Sequence, residues 1–330
     1  MEAGGGESVC ISRRQNIVLL SWESWLGHRG SAMPMITKKR RVKVLDSYMS
    51  YIDTRAGEDI VIFLHGNLAS SYIWRHVIPY VQGHARCLAP DLLGFGDSGK
   101  EPSHKYRFED QYRYFCAWLE SIKLDGDYIF VCHEIGSMIA FQWCSKHPEK
   151  VKGLVFTEAI VAPFSSFDDL IPKSTREIYE RVRHDKTTEE KVLSENIFLE
   201  SALSEIALTR KLTENDLKNY RLPFSKQGES RRPMITAVKE LPFENDGPND
   251  VVNIVKNYQS WLSTSEEIPK LYINADPGLF SSFVNDVTKE WPNQITVTVP
   301  GKHLVQEESH EAFSRALLDY IKEHQVINYG

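Results

Sequence analysis

Tyr128-Ile129-Phe130-Val131-Cys132-His133-Glu134-Ile135-Gly136-Ser137-Met138-Ile139-Ala140-Phe141 is the stretch that decides the fold. Its first four residues are aromatic or branched and apolar, the composition of a strand buried on both faces. Its last five are small or apolar and open a helix. Between them, Cys132-His133-Glu134-Ile135-Gly136 reads small, any, polar, any, glycine. A strand that passes straight into a helix through such a turn thrusts the central side chain out above the sheet. Small flanking residues are needed to relieve the crowding. This is the layout of a nucleophile elbow, with Glu134 at its centre.

Outward from the turn, short β-rich runs alternate with longer helical ones, the pattern of a mainly parallel sheet with helices on both faces. Ile60 to Leu64, Ala85 to Ala89, Val151 to Phe156, Lys270 to Asn274 and Ile295 to Val299 read as strands. Asp110 to Ile122 sets Tyr114, Ala117, Trp118 and Ser121 on one helical stripe, and a C-terminal amphipathic helix carries Phe313, Leu317, Tyr320 and Ile321. The stretch 160–262 is rich in charge and holds helix-start signatures at Ser174-x-x-Glu177, Thr187-x-x-Glu190 and Thr213-x-x-Asp216. It reads as a helical cap inserted into an α/β-hydrolase core of residues 41–159 and 263–330. Residues 1–40 read as a flexible N-terminal extension.

Composition narrows the function. The 330 residues carry a net charge of −6, against the basic face that a nucleic-acid partner requires. The run Lys38-Lys39-Arg40-Arg41 reads as a solvated lead-in. Cysteines at 10, 87, 116, 132 and 144 are odd in number and form no C-x-x-C pair, which argues against a disulfide framework or a zinc site and for a reducing, cytoplasmic compartment. Ile17-Val18-Leu19-Leu20 is too short an apolar core to insert stably in a membrane, and secretion is the lesser reading.

Three further elements can carry chemistry. His65-Gly66-Asn67 follows the first strong strand, where the loop of this fold lends a backbone N–H to an anion; Asn67 adds a side-chain donor. A lone histidine is more often structural than catalytic, but His303 follows the last strand, where the base of this fold belongs. The base needs an acid to orient it, and spacing leaves two: Glu158 after Val155-Phe156-Thr157, and Asp276 in Asp276-Pro277-Gly278, which is also an ordinary turn. Gly94-x-Gly96-x-x-Gly99 matches a dinucleotide pattern, but Pro90-Asp91 parts it from its strand and no amphipathic helix opens at its third glycine, so it is set aside.

Together, His65-Gly66-Asn67-x-Ala69-Ser70-Ser71-Tyr72-x-Trp74-Arg75-His76, Pro90-Asp91-Leu92-x-Gly94-x-Gly96-x-Ser98-Gly99-Lys100 and Arg231-Arg232-Pro233 resemble the Renilla-type luciferases, relatives of the haloalkane dehalogenases. Val44-Leu45-Asp46-Ser47 and Asp276-Pro277-Gly278-x-Phe280-Ser281 extend the similarity over residues 40 to 325. The resemblance implies an α/β-hydrolase sheet with a helical cap. It transfers the acid to Glu158, the base to His303 and the donor asparagine to Asn67. It further implies oxidation of coelenterazine by O₂ to a dioxetanone, CO₂ and blue light, with no cofactor, neither metal nor flavin.

The departures fall on the turn. The family has Gly-His-Asp-Trp-Gly where this chain has Cys132-His133-Glu134-Ile135-Gly136. Glutamate keeps the charge but moves it by roughly 1 Å, enough to cost on the order of 10²-fold where covalent attack must be aligned. Ile135 stands where the resemblance implies an indole donor for halide. Dehalogenation suffers from both changes, so the leading expectation is a luciferase-like monooxygenase acting on a small heteroaromatic substrate, an imidazopyrazinone, and O₂. The roles are Glu134 as polar anchor or proton acceptor, His303 as base, Glu158 as its acid and Asn67 as ligand contact; Glu177 reads equally as the edge of the pocket or as the second half of the Ser174–Glu177 capping box. The alternatives are a hydrolase using Glu134 as nucleophile and a non-catalytic binding protein with the same pocket.

Overall fold

Each uninterrupted apolar run becomes a strand buried on both faces, because only a parallel sheet covered by helices hides both sides of such a run. The computed structural model describes residues 9–13, 16–20, 38–169 and 173–326. Its strands are β1 (Val9–Arg13), β2 (Asn16–Leu20), β3 (Arg40–Val44), β4 (Ser47–Asp53), β5 (Asp59–Leu64), β6 (Ala85–Pro90), β7 (Tyr128–Glu134), β8 (Val151–Ala159), β9 (Lys270–Pro277) and β10 (Gln294–Gly301). They form one sheet in the order β2-β1-β10-β9-β8-β7-β5-β6-β4-β3. Strands β5 to β10 run parallel, and the two outer pairs are antiparallel.

The helices are α1 (Ile78–Val81), α2 (Phe108–Ile122), α3 (Ile135–Lys146), α4 (Lys173–His184), α5 (Lys186–Glu195), α6 (Ile197–Ser201), α7 (Glu214–Arg221), α8 (Arg232–Lys239), α9 (Asn249–Thr264), α10 (Ser281–Thr288), α11 (Val305–Glu308) and α12 (His310–Val326). Helices α4 to α8 lie in the charge-rich stretch between β8 and β9. The chain leaves β5 to pair β6 on one side and β7 on the other. At such a switch point the loops after neighbouring strands diverge, leaving a crevice at the carboxyl ends where ligands bind in open α/β sheets.

Several local expectations need correction. The buried face of α2 is Phe108, Gln111, Tyr114, Phe115, Trp118 and Leu119, while Ala117 is half-buried and Ser121 exposed. The stripe is therefore rotated from the one read off the sequence. The basic run is solvated at Lys38, Arg40 and Arg41 but also paired: Lys39 reaches Asp91 at 2.7 Å and Asp97 at 2.8 Å, and Arg40 reaches Asp53 at 3.0 Å. Arg40, Arg41 and Lys43 place charge on β3, an end strand of the described sheet, as edge strands commonly do. Helix α5 is capped by Asp185, two residues before the expected Thr187, whereas Thr213 caps α7 by accepting from the Asp216 N–H as read. The stretch read as an extension supplies β1 and β2; the rest of its first 37 residues lies outside the described residues. The loop from Gly94 to Gly99 opens no helix and is organised on buried Asp91, which accepts from the Ser71 and Asp97 N–H groups, both at 2.8 Å.

Helix α3 packs so closely under the switch point that a Cβ at Gly136 would lie 2.5 Å from the Leu64 carbonyl oxygen and 2.6 Å from that of His65. Neither backbone atom can yield without moving β5. Replacing Gly136 by Ala is therefore expected to destabilise the fold by about 1–3 kcal/mol, read as a lower midpoint in urea unfolding followed by circular dichroism; an unchanged midpoint would refute this packing.

Candidate active site

The four residues singled out by sequence come together at the carboxyl ends of four parallel strands. Asn67 follows β5, Glu134 ends β7, Glu158 lies at the end of β8 and His303 follows β10. All are buried, with exposures of 7% or less.

Glu134 has φ 47° and ψ −123°, a conformation that costs a non-glycine residue on the order of 1–3 kcal/mol. The turn that imposes it also aims the side chain back toward the β5 loop. There Glu134 Oε2 accepts the Asn67 backbone N–H at 2.5 Å. The contact requires Gly66, since a Cβ there would lie 2.7 Å from Glu134 Cβ and 2.8 Å from its Oε2. Burial pushes the Glu134 carboxyl above its ordinary value; His303 and the N–H groups of Asn67 and Ile135 pull it down without offsetting the burial.

The side chain of Asn67 is also engaged. Its amide nitrogen donates to the Met234 carbonyl on α8 at 3.1 Å, and its oxygen accepts the Leu68 N–H at 2.9 Å. One amide N–H remains for a ligand. The Ile135 side chain offers no donor and instead lines a small, mainly apolar cavity of about 20 Å³ with Phe95, Met138 and Pro233, which Gln111 and Glu240 also border.

The second half of the site is an imidazole–carboxylate pair. His303 Nδ1 lies 3.0 Å from Glu158 Oε2. The same oxygen accepts the N–H groups of Leu279 at 2.8 Å and Phe280 at 3.0 Å, and Oε1 accepts the Ser281 hydroxyl at 2.7 Å. These donors belong to the amino end of α10, where anions are favoured. Burial raises the Glu158 carboxyl, but His303, Ser281 and the Phe280 N–H outweigh it and hold the group below its ordinary value. Asp276, the rival acid, is exposed at the end of β9. The two buried carboxyls are thus driven in opposite directions from the ordinary carboxyl value.

Two more histidines brace these loops. His133 donates from Nε2 to the His303 carbonyl at 2.9 Å, and burial first, then the neighbouring His303, keeps it neutral. His65 accepts the Leu92 N–H on Nε2 at 2.9 Å and donates from Nδ1 to Gly66 at 2.8 Å; burial lowers its pKa to about 4.

A match to the α/β-hydrolase fold family covers residues 59–309, a range that contains all four loops. The chain belongs to that family. Among its relatives, coelenterazine h 2-monooxygenase of Renilla reniformis is 38% identical over 285 residues, 86% of this chain and 90% of the relative. Haloalkane dehalogenase of Sphingobium indicum is 37% identical over 289 residues, 86% and 95% of the two chains. The crystal structure of a haloalkane dehalogenase from Bradyrhizobium elkani has a TM-score of 0.83 at 32% identity, covering 88% of this chain and 99% of its own. This α/β-hydrolase therefore sits in the branch that holds both the luciferase and the dehalogenases.

Against this family layout, the sequence reading placed Glu177 at the pocket, but it is exposed on α4. The residue of that helix facing the site is Tyr179, 6% exposed, its ring edge-on to Phe198 with centroids 5.3 Å apart. Burial and then the nearness of Glu134 and Glu158 raise its phenol. The helix-start signature drew attention two positions away; the apolar spacing of Tyr179 and Val182, both buried, was the signal available. Leu279 and Phe280, which act through backbone N–H groups, left no side-chain signature to find.

Because folding raises the pKa of Glu134, its favourable contribution is present below its unfolded value and lost as pH rises through the folded one. Glu134→Gln is therefore expected to raise Tm by about 2–4 °C at about pH 8. That gain should shrink as pH falls toward the ordinary carboxyl value of 4.5. Calorimetric scans across that range check it, and a Tm difference independent of pH would contradict the assignment.

Proposed function

We propose that the protein is a cofactor-independent monooxygenase that oxidises coelenterazine or a similar imidazopyrazinone with O₂, releasing CO₂ and light. One observation carries the reading: the donors that hydrolysis would need are already spent. The Asn67 backbone N–H is taken by Glu134 itself, as is the Ile135 backbone N–H, one Asn67 amide N–H goes to Met234, and residue 135 has no side-chain donor. A carboxylate that occupies its own anion site is poorly placed to attack carbon, and a departing halide or an oxyanion would have a single donor left.

Oxygenation makes a different demand. It requires a base to take the substrate's ring proton and a dry, polar-edged pocket to hold the resulting anion. His303 serves as that base, and buried Glu158 orients the imidazole and stabilises its charged form. The substrate anion then gives electrons to O₂, two C–O bonds close a dioxetanone, and its cleavage releases CO₂ and an excited amide. Glu134 anchors the ring or accepts a proton, and the remaining Asn67 N–H contacts the ligand or the oxygen-derived anion. Residues 160–262 act as the cap that keeps water out. The 38% identity to the Renilla monooxygenase supports the substrate class.

Purified protein mixed with coelenterazine in air is expected to emit light above a serum-albumin control. His303→Ala should lower emission on the order of 10²–10⁴-fold. Emission at the albumin level from folded protein, or chloride release from a chloroalkane that outpaces light emission, would sink the proposal.

A further inference from the structure

Two consecutive glutamates, Glu307 and Glu308, lie four and five positions after His303 and hold the base-bearing loop from both sides. Glu308 Oε2 accepts the N–H of Lys302, the residue before His303, at 2.6 Å. Its Oε1 accepts the Thr209 N–H at 2.5 Å and the Thr209 hydroxyl. One carboxylate thus ties the peptide leading into His303 to the helical stretch between β8 and β9. On the other side, the Leu304 N–H donates to the Ala207 carbonyl at 2.9 Å. The His303 carbonyl itself is held by His133.

Glu307 is fully buried and completes the grip. Arg75 donates to it in a two-pronged pair, Nη1 to Oε1 at 2.5 Å and Nη2 to Oε2 at 2.8 Å. The Tyr220 hydroxyl donates to Oε1 at 2.6 Å, and Arg210 donates to the Glu307 carbonyl at 2.5 Å. Arg75 also pairs with Asp216 at 2.8 Å, which accepts the Tyr72 hydroxyl at 2.7 Å. Arg75 and Tyr72 follow the Asn67 loop, and Arg210, Asp216 and Tyr220 belong to the helical stretch. A planar guanidinium that binds a carboxylate through two parallel bonds fixes orientation as well as distance.

We infer that Glu307 and Glu308 are positioning residues for His303, clamping the base loop, the Asn67 loop and residues 207–220 into one unit. Neither touches the reacting atoms. Glu308 acts by holding the Lys302 peptide N–H, and Glu307 by tying its own turn to Arg75 and Tyr220, so that the imidazole's approach to Glu158 and to a bound ring does not wander. A base displaced by about 1 Å loses on the order of 10²-fold in rate. The inference rests on reading His303 as the base, but the clamp can be tested without substrate.

Full-length protein labelled with ¹³C at histidine Cε1 gives a His303 signal, assigned by its loss in His303→Ala, whose position at one fixed pH reports the surroundings of the ring. Glu308→Gln and Glu307→Gln are each expected to displace that signal and to lower the kcat for light on the order of 10-fold or more with KM little changed. Asp53→Asn, which removes the charge paired with Arg86 at 3.0 Å, is the control for a merely structural carboxylate and should leave the signal in place. If Glu307→Gln does not fold, half-buried Glu308 still decides the matter. A His303 signal in folded Glu308→Gln that superimposes on the wild type, or that moves equally in Asp53→Asn, overturns the inference. If the wild type emits no light, the function reading fails while the His303 signal still decides the clamp.

Discussion

At the switch point, β5 and the turn from β7 into α3 approach until only hydrogen atoms fit between them. A Cβ at Gly136 would meet the backbone carbonyls of Leu64 and His65, and one at Gly66 the side chains of His133 and Glu134. The contact forces Glu134 into positive φ and turns its carboxylate onto the backbone of the β5 loop. The strain is held by α3, buried from Ile135 to Cys144, since a turn of this kind persists only where its surroundings over-determine it. The loops bearing Asn67, Glu158 and His303 are then arranged about a fixed point.

The same constraint explains why one methylene matters so much here. In a loosely packed site a longer carboxylate could swing aside. Under this turn it has one place to go, the donors beside it, and it takes the Asn67 N–H. A buried carboxylate needs such a donor to remain tolerable, so the fold satisfies the group with the donor that hydrolysis would use. Glu158 meets the same burial with four partners and ends with its pKa lowered rather than raised. Two glutamates in one site are thus pushed in opposite directions, according to the number of donors each can find.

Order in the site is built outward from these groups through charges on other elements. His133 braces the His303 carbonyl, the Glu307–Glu308 pair secures the peptides around it, and Arg75 links them to the β5 loop. Such pairs add little to stability when exposed, but buried ones with all lone pairs satisfied restrict geometry, which is what a proton-transfer site requires.

What the sequence by itself determined was the local and periodic part of this protein. The parallel strands were legible because a strand buried on both faces must be apolar throughout, and the elbow because a strand-to-helix turn needs small residues at set positions. The placement of Asn67, Glu134, Glu158 and His303 at the carboxyl ends of β5, β7, β8 and β10 followed from that order. Edge strands β3 and β4 were not legible, since one-sided burial permits charges such as Lys39 and Arg40 that read as solvated. Spacing left Glu158 and Asp276 open and the family resemblance chose Glu158; tertiary structure alone put Glu158 beside His303, buried Tyr179 rather than Glu177, and revealed that Glu134 spends the Asn67 N–H. Each of those outcomes depends on which buried groups meet across β5, β7, β8 and β10, and spacing along a chain holds no record of distance across a sheet.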